Sequence, residues 1–263
     1  MTFSGAGVCN VTTGDQTAPL ATPVRVAAPS ETTLLWWCSL APAPGHAGLS
    51  EWLSVDERAR MRRFGNDALR TRYLIGRASL RWVLAQTMGV ALAAVAIERG
   101  PRGRPQLAGT AGIDFNVSHT ADVALIGISY EGRIGVDVER ADRAIHSAGL
   151  ARKVLTDRER AALPADDDAI RRRILRLWTC KEALAKATGD AMSAPFGRLD
   201  IATEPALKLV DGPSPYDPRD FALFAAAVPD GHLATVALWR RYNVRSKLAA
   251  TESQAERETQ RKA

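Results

Sequence analysis

Two stretches of this chain can be laid over each other, and that limits the folds open to it. RYLIGRASLR, residues 72–81, matches LWTCKEALAK, residues 177–186, with Tyr73 on Trp178, Ala78 on Ala183 and Arg81 on Lys186. Each stretch lies in a helical pattern, and strand-like sequence accompanies each. A repeat of about 105 residues is the size of a domain and too long for a solenoid. Chance likeness between two amphipathic helices is the competing explanation. The expected architecture is α+β, with two similar halves at residues 31–132 and 133–245. A poorly ordered segment (1–30) precedes them and a charged tail (246–263) follows. A site is then expected where the halves meet, since clefts form at such joins.

The second half opens on IGVDVER, residues 134–140. Side chains alternate between the faces of a strand. Ile134, Val136 and Val138 should share one face; Gly135, Asp137 and Glu139 should share the other. Two carboxylates on one face repel unless something positive lies between them. Downstream, residues four apart share a helix face, so Trp178, Glu182 and Lys186 form one stripe with Lys181 beside it. An ordinary packed edge with an ion pair would look the same in isolation. With the two acids upstream, Asp137, Glu139 and Glu182 become candidate ligands of one hard cation, for which oxygen donors suit Mg²⁺. No His or Cys cluster points to zinc.

The remaining features narrow the chemistry less. FNVSHT, residues 115–120, places Ser118 and His119 before an apolar strand. Sequence neighbours make a poor nucleophile–base pair, so His119 is better suited to a phosphate; a structural turn is the other reading. GPRGRP, residues 100–105, offers Arg102 or Arg104 to an anion. Ser54 reads as a helix N-cap, with Asp56 and Glu57 in the first turn. The 263 residues are 46% hydrophobic, enough for a core, and carry a formal charge of +6, which suits an anionic partner without choosing one. Arg171, Arg172 and Arg173 are the densest basic cluster. Three dispersed cysteines argue against a disulfide framework. The start of the chain lacks a signal-like pattern, and no apolar run reaches the roughly 20 residues of a membrane span. A soluble cytoplasmic protein is expected.

Taken in order, G-x-R-P, F-N-V-S-H-T, I-G-V-D-V-E and W-x-x-K-E-A-x-x-K resemble the 4′-phosphopantetheinyl transferases, in particular the monomeric surfactin-type branch. The likeness spans roughly residues 33–240. It implies two pseudo-twofold α+β halves with coenzyme A in the cleft between them. It implies transfer of the phosphopantetheine arm to a serine of an apo acyl or peptidyl carrier protein, releasing adenosine 3′,5′-bisphosphate. Fatty-acid, polyketide and nonribosomal-peptide carriers all remain open. The metal ligands, for Mg²⁺ or Mn²⁺, fall on Asp137, Glu139 and Glu182. Coenzyme A contacts fall on Arg60, Arg72, Arg104, Ser118, His119 and Lys186. The catalytic groups fall on Glu182, Lys186, His119 and Glu159, with Glu182 as first choice of base and Glu159 as second. One basic position of the family is occupied here by Glu57. A monomer that needs neither nucleic acid nor membrane is implied. A non-catalytic module with the same fold and a nucleic-acid binder are the alternatives, and neither explains the three acids.

Overall fold

The computed structural model describes residues 23–110, 112–143 and 147–240. The elements run β1 (Val24–Val26), β2 (Thr33–Ser39), α1 (Val55–Arg62), α2 (Asp67–Met88), β3 (Ile97–Arg99), β4 (Pro105–Leu107), β5 (Asp114–His119) and β6 (Val123–Ser129). They continue with β7 (Arg133–Arg140), α3 (Ser147–Val154), α4 (Asp157–Ala161), α5 (Asp167–Thr188), β8 (Asp200–Ala202), β9 (Lys208–Asp211), β10 (Phe221–Ala225) and β11 (His232–Trp239). One sheet has the order β1-β2-β6-β5, the other β10-β11-β7, and β3-β4 and β8-β9 are separate hairpins. This is the expected α+β class. Strand β1 pairs with β2, so the segment expected to lack order contributes a strand; residues 1–22 and the tail lie outside the described residues.

The same succession of elements occurs twice. A strand (β2, then β7) leads to a short helix (α1, α4), a 22-residue helix (α2, α5), a hairpin and two further strands. In each sheet the last strand of the succession, β6 or β11, lies between the first and the penultimate. The reasons are local and repeated. Ser54 and Glu57 close a capping box at α1, and Thr156 and Glu159 close one at α4, each satisfying two otherwise orphaned backbone N–H groups. Asn66 and Asp166 cap the two long helices. Gly89 and Gly189 end them in the left-handed region, at φ 65° and 83°, a conformation that glycine adopts freely.

These caps correct the register of the repeat. Because α2 starts at Asp67 and α5 at Asp167, the residue equivalent to Arg81 is Lys181 and not Lys186. The two carry the same load: Arg81 Nε lies 2.6 Å from Glu57, and Lys181 Nζ lies 2.6 Å from Glu159. An Ala-x-x-basic pattern recurs along an amphipathic helix, so it cannot fix register; the ends of the helix can.

Three apolar cores follow from strand alternation. Trp36, Ile126 and Ile128 face α2 with Leu80 and Leu84. Leu177, Leu184, Leu223 and Tyr216 belong to a second core around α5. The third joins the two sheets: Leu35 and Leu125 of the first meet Ile134, Val136, Val138 and Val236 of the second. Each such fully buried side chain contributes about 1.5–3 kcal/mol. The face of β7 with Gly135 and Asp137 packs on α5. A Cβ on Gly135 would lie 1.9 Å from the Ala183 carbonyl oxygen and 2.5 Å from the Ala187 nitrogen, both rigid helix backbone. Gly135→Ala is therefore expected to cost about 3 kcal/mol or more, measured as a fall in the urea midpoint. An unchanged midpoint would mean that α5 does not press on β7 as described.

Candidate active site at the joint of the two sheets

Strand β7 is an edge strand of its sheet, and an exposed edge invites stray pairing. Here side chains of β5 close it. Asp114 Oδ2 accepts from Ile134 N at 2.8 Å, Asn116 Oδ1 from Val136 N at 3.0 Å and Ser118 Oγ from Val138 N at 3.3 Å. The period-two polar residues of DFNVSH thus meet the period-two N–H groups of IGVDV. This ladder fixes β5 against β7 and brings Ser118 to Asp137.

At its end lies a compact polar cluster. Asp137 is 4% exposed. Its Oδ1 accepts from Ser118 Oγ at 2.9 Å and from Lys186 Nζ at 2.7 Å, and Lys186 also donates to Ser118 Oγ at 2.9 Å. Asp137 Oδ2 is buried without a hydrogen-bond partner. Glu139 Oε1 accepts from Trp178 Nε1 at 3.1 Å and pairs with Arg143. Trp178 and Lys186 thus both reach β7, as the expected stripe requires, with Glu182 between them and buried.

Burial raises the pKa of each acid. For Asp137, Lys186 and then the Ser118 hydrogen bond act against it. For Glu139, the neighbouring Asp137 charge adds to burial while Arg143 opposes. For Glu182, Lys186 opposes burial, and Asp137 and Glu139 add to it. The three acids therefore feel one another. Among the described residues, however, no group of three or more acidic, His or Cys side chains is arranged to hold a metal. Protein cations hold two of the acids instead: Lys186 on Asp137 and Arg143 on Glu139. The donor chemistry still fits a hard divalent cation. All donors are carboxylate oxygens, one is a buried orphan, and burial holds each acid above its ordinary pKa.

His119 ends β5 and is exposed. Crowding around its ring lowers its pKa first, followed by the positive charges of Lys186 and Arg72. An anion placed there would reverse the charge effect and raise the His119 pKa. The imidazole should then titrate below its ordinary 6.5 in the free protein and above that free value with a phosphate ligand bound, so binding takes up a proton and tightens as pH falls through that range. His119→Ala should weaken such a ligand roughly tenfold to a hundredfold, and an NMR titration of the imidazole would expose any failure of the sign.

Three expected residues are placed elsewhere or otherwise engaged. Glu159 is 4% exposed and engaged within the fold, accepting from Lys181 at 2.6 Å, Thr156 N at 2.9 Å and Ile201 N at 2.8 Å, which gives it a structural task. Arg104 has its guanidinium on Asp114 and on the carbonyls of Phe115, Ile134 and Lys186, which engages it with the protein's own acceptors. Arg60 is exposed in the last turn of α1, and no side-chain contact links it to the cluster among the described residues. Glu57 is explained by its burial between Arg77 and Arg81. The structural reading of FNVSHT has Asn116 and Ser118 bonding backbone in a turn; both do bond backbone, but from a strand. Asp114 and Arg143 are not singled out by the sequence, and the matched period-two patterns could have revealed Asp114.

Two family models cover most of this framework. Residues 133–223 match the 4′-phosphopantetheinyl transferase superfamily, and residues 45–130 match the N-terminal region described for 4′-phosphopantetheinyl transferase. The 4′-phosphopantetheinyl transferase HetI of a Nostoc species is 37% identical over 173 residues, 63% of this chain and 72% of its own. A putative 4′-phosphopantetheinyl transferase of Synechocystis is 33% identical over 168 residues, 63% of this chain and 68% of its own. The 4′-phosphopantetheinyl transferase AcpT of Escherichia coli K12 is 31% identical over 123 residues, 46% of this chain and 60% of its own.

Proposed function

We propose, for a chain that belongs to the 4′-phosphopantetheinyl transferase superfamily, how its site performs the transfer. The protein is a 4′-phosphopantetheinyl transferase, acting on carrier proteins. The finer reading is that coenzyme A donates the arm to a serine of an apo acyl or peptidyl carrier protein and adenosine 3′,5′-bisphosphate leaves. The observation that carries it is the buried Asp137 with one oxygen on Lys186 and Ser118 and the other without a partner.

In this reading the serine oxygen attacks the phosphorus that bears the pantetheine arm, and the bond from that phosphorus to the bridging oxygen breaks. Charge grows on the phosphoryl oxygens and on the leaving phosphate. Lys186, His119 and Arg72 bind that charge in this proposal. Arg60 is the candidate for the 3′-phosphate end. Glu182, whose pKa burial raises, takes the serine proton. Asp137, Glu139 and Glu182 would hold Mg²⁺, or Mn²⁺ in its place, which when bound supplies Lewis acidity toward the diphosphate. Ser118 keeps Asp137 and Lys186 in register and need not touch the substrate. The surplus of positive charge, +6, favours encounter with polyanionic coenzyme A and an acidic carrier.

The pseudo-twofold relation of the halves, a boundary near residue 132, a monomeric state and a cytoplasmic location belong to the same proposal, as does independence of nucleic acid and membrane. No helix among the described residues is long and apolar enough to cross a membrane. The test is to incubate apo carrier proteins of the fatty-acid, polyketide and nonribosomal-peptide types with coenzyme A and Mg²⁺ and weigh them. A gain of one phosphopantetheinyl group on any of them is expected. Binding of coenzyme A without any gain would favour a non-catalytic module instead.

A further inference from the structure

The group that the sequence offers as a phosphate ligand, Arg104, has another task. It stands just before β4, and its side chain is 8% exposed. One terminal nitrogen donates to the Lys186 carbonyl at 3.2 Å. The other donates to the Ile134 carbonyl at 2.8 Å, to the Phe115 carbonyl at 3.1 Å and to the Asp114 carboxylate. The cation thus ties three elements together: β5, the opening of β7 and the last turn of α5. The last carbonyls of a helix have no intrahelical partners and carry partial negative charge. Arg104 meets one of them and Arg133 meets another, the Thr188 carbonyl, at 3.1 Å. The residue whose carbonyl Arg104 holds is Lys186, whose ammonium bridges Ser118 and Asp137.

We propose that Arg104 is a positioning residue for Lys186: it clamps the end of α5 to β5 and β7, and so fixes where the Lys186 ammonium stands. Its charge is answered by Asp114, itself a rung of the ladder that closes β7. Lysine could not substitute fully, because its ammonium lacks the planar fork that reaches acceptors on several elements. The inference rests on the reading of Lys186 as the group that answers the charge growing on the phosphoryl oxygens during transfer.

The test uses the full chain with R104Q, R104K and D114N, coenzyme A, its 3′-dephospho form, and NMR of the lysine ammonium groups. In R104Q, kcat should fall by about 10²-fold, as for a displaced catalytic group, while KM for coenzyme A and for the dephospho form moves by less than about threefold. R104K should recover part of kcat, and D114N should resemble R104Q in kind. The Lys186 ammonium signal should shift in R104Q and D114N. If R104Q does not fold, R104K and D114N carry the same comparison. A KM for coenzyme A raised tenfold or more with kcat kept would make Arg104 a substrate ligand and overturn the proposal; so would an unchanged kcat. Should the wild-type chain transfer nothing, the functional reading fails, and the Lys186 signal still decides: a shift upholds the clamp, and an unmoved signal removes it.

Discussion

Glu182→Gln should lose transfer by at least about 10²–10³-fold, the loss typical of removing one charge-stabilising group from a site, and should at the same time raise the melting temperature at neutral pH. The two effects have one cause. Burial, with Asp137 and Glu139 adding to it, raises the Glu182 pKa above its ordinary 4.5. A carboxyl with a raised folded pKa binds its proton more tightly folded than unfolded. Below its ordinary pKa both states are protonated and the group costs nothing. As pH rises through the ordinary pKa and then the raised one, the unfolded chain ionises first and stability falls. Above the raised value the deficit is constant. Glutamine has no charge to bury, so its advantage over wild type should be present at pH 7 and vanish toward pH 3–4. Divalent cation should reduce the advantage by stabilising wild type more than the variant. Wild-type transfer by Glu182→Gln, or a melting temperature that falls at pH 7, would remove Glu182 from the site as described. Activity and stability should pull in opposite directions here because Glu182 is held buried and beside two other acids, a familiar cost of function.

What could be read from the sequence was what is local. Alternation along residues 134–140 assigned Ile134, Val136 and Val138 to one face and Asp137 and Glu139 to the other, and the two faces lie against the neighbouring sheet and α5. The stripe Trp178–Glu182–Lys186 followed from helical spacing, and its members meet the strand acids. Ser54 announced α1 because capping is a matter of three adjacent residues. What could not be read were partners many positions away. Arg104 in a Gly/Pro turn looks free to meet an anion; only the fold brings Asp114, Ile134 and Lys186 around it. Glu159 in a run of charges looks exposed, and the spacing does not say that Lys181 on the next helix is aimed at it. The likeness of two helices was visible, but the amphipathic pattern left its register open, and the helix ends set it five residues from where the likeness put it.

That register leads to the largest expected effect on stability. Lys181→Met should destabilise the protein by about 3–5 kcal/mol, the usual cost of breaking a buried ion pair from one side. The Lys181 side chain is fully buried and that of Glu159 nearly so. Without the ammonium, Glu159 keeps only the N–H groups of Thr156 and Ile201, and the carbonyls of Val154 and Phe196 lose the ammonium, Phe196 keeping the Leu199 N–H at 3.2 Å. The equivalent change in the first half, Arg81→Met, should cost less, because Arg77 remains 3.0 Å from Glu57 and keeps its charge answered. Glu159→Gln should also lose stability, since Lys181 then has no counter-charge, yet its kcat well below the melting transition should match wild type. The double change at 159 and 181 should cost less than the sum of the single ones, because each single change strands a charge that the double change removes. Urea unfolding of the four variants measures all of this. Equal losses at Arg81 and Lys181 would mean that Arg77 does not answer the Glu57 charge once Arg81 is gone. A Glu159→Gln variant with normal stability and collapsed turnover would return that acid to the chemistry.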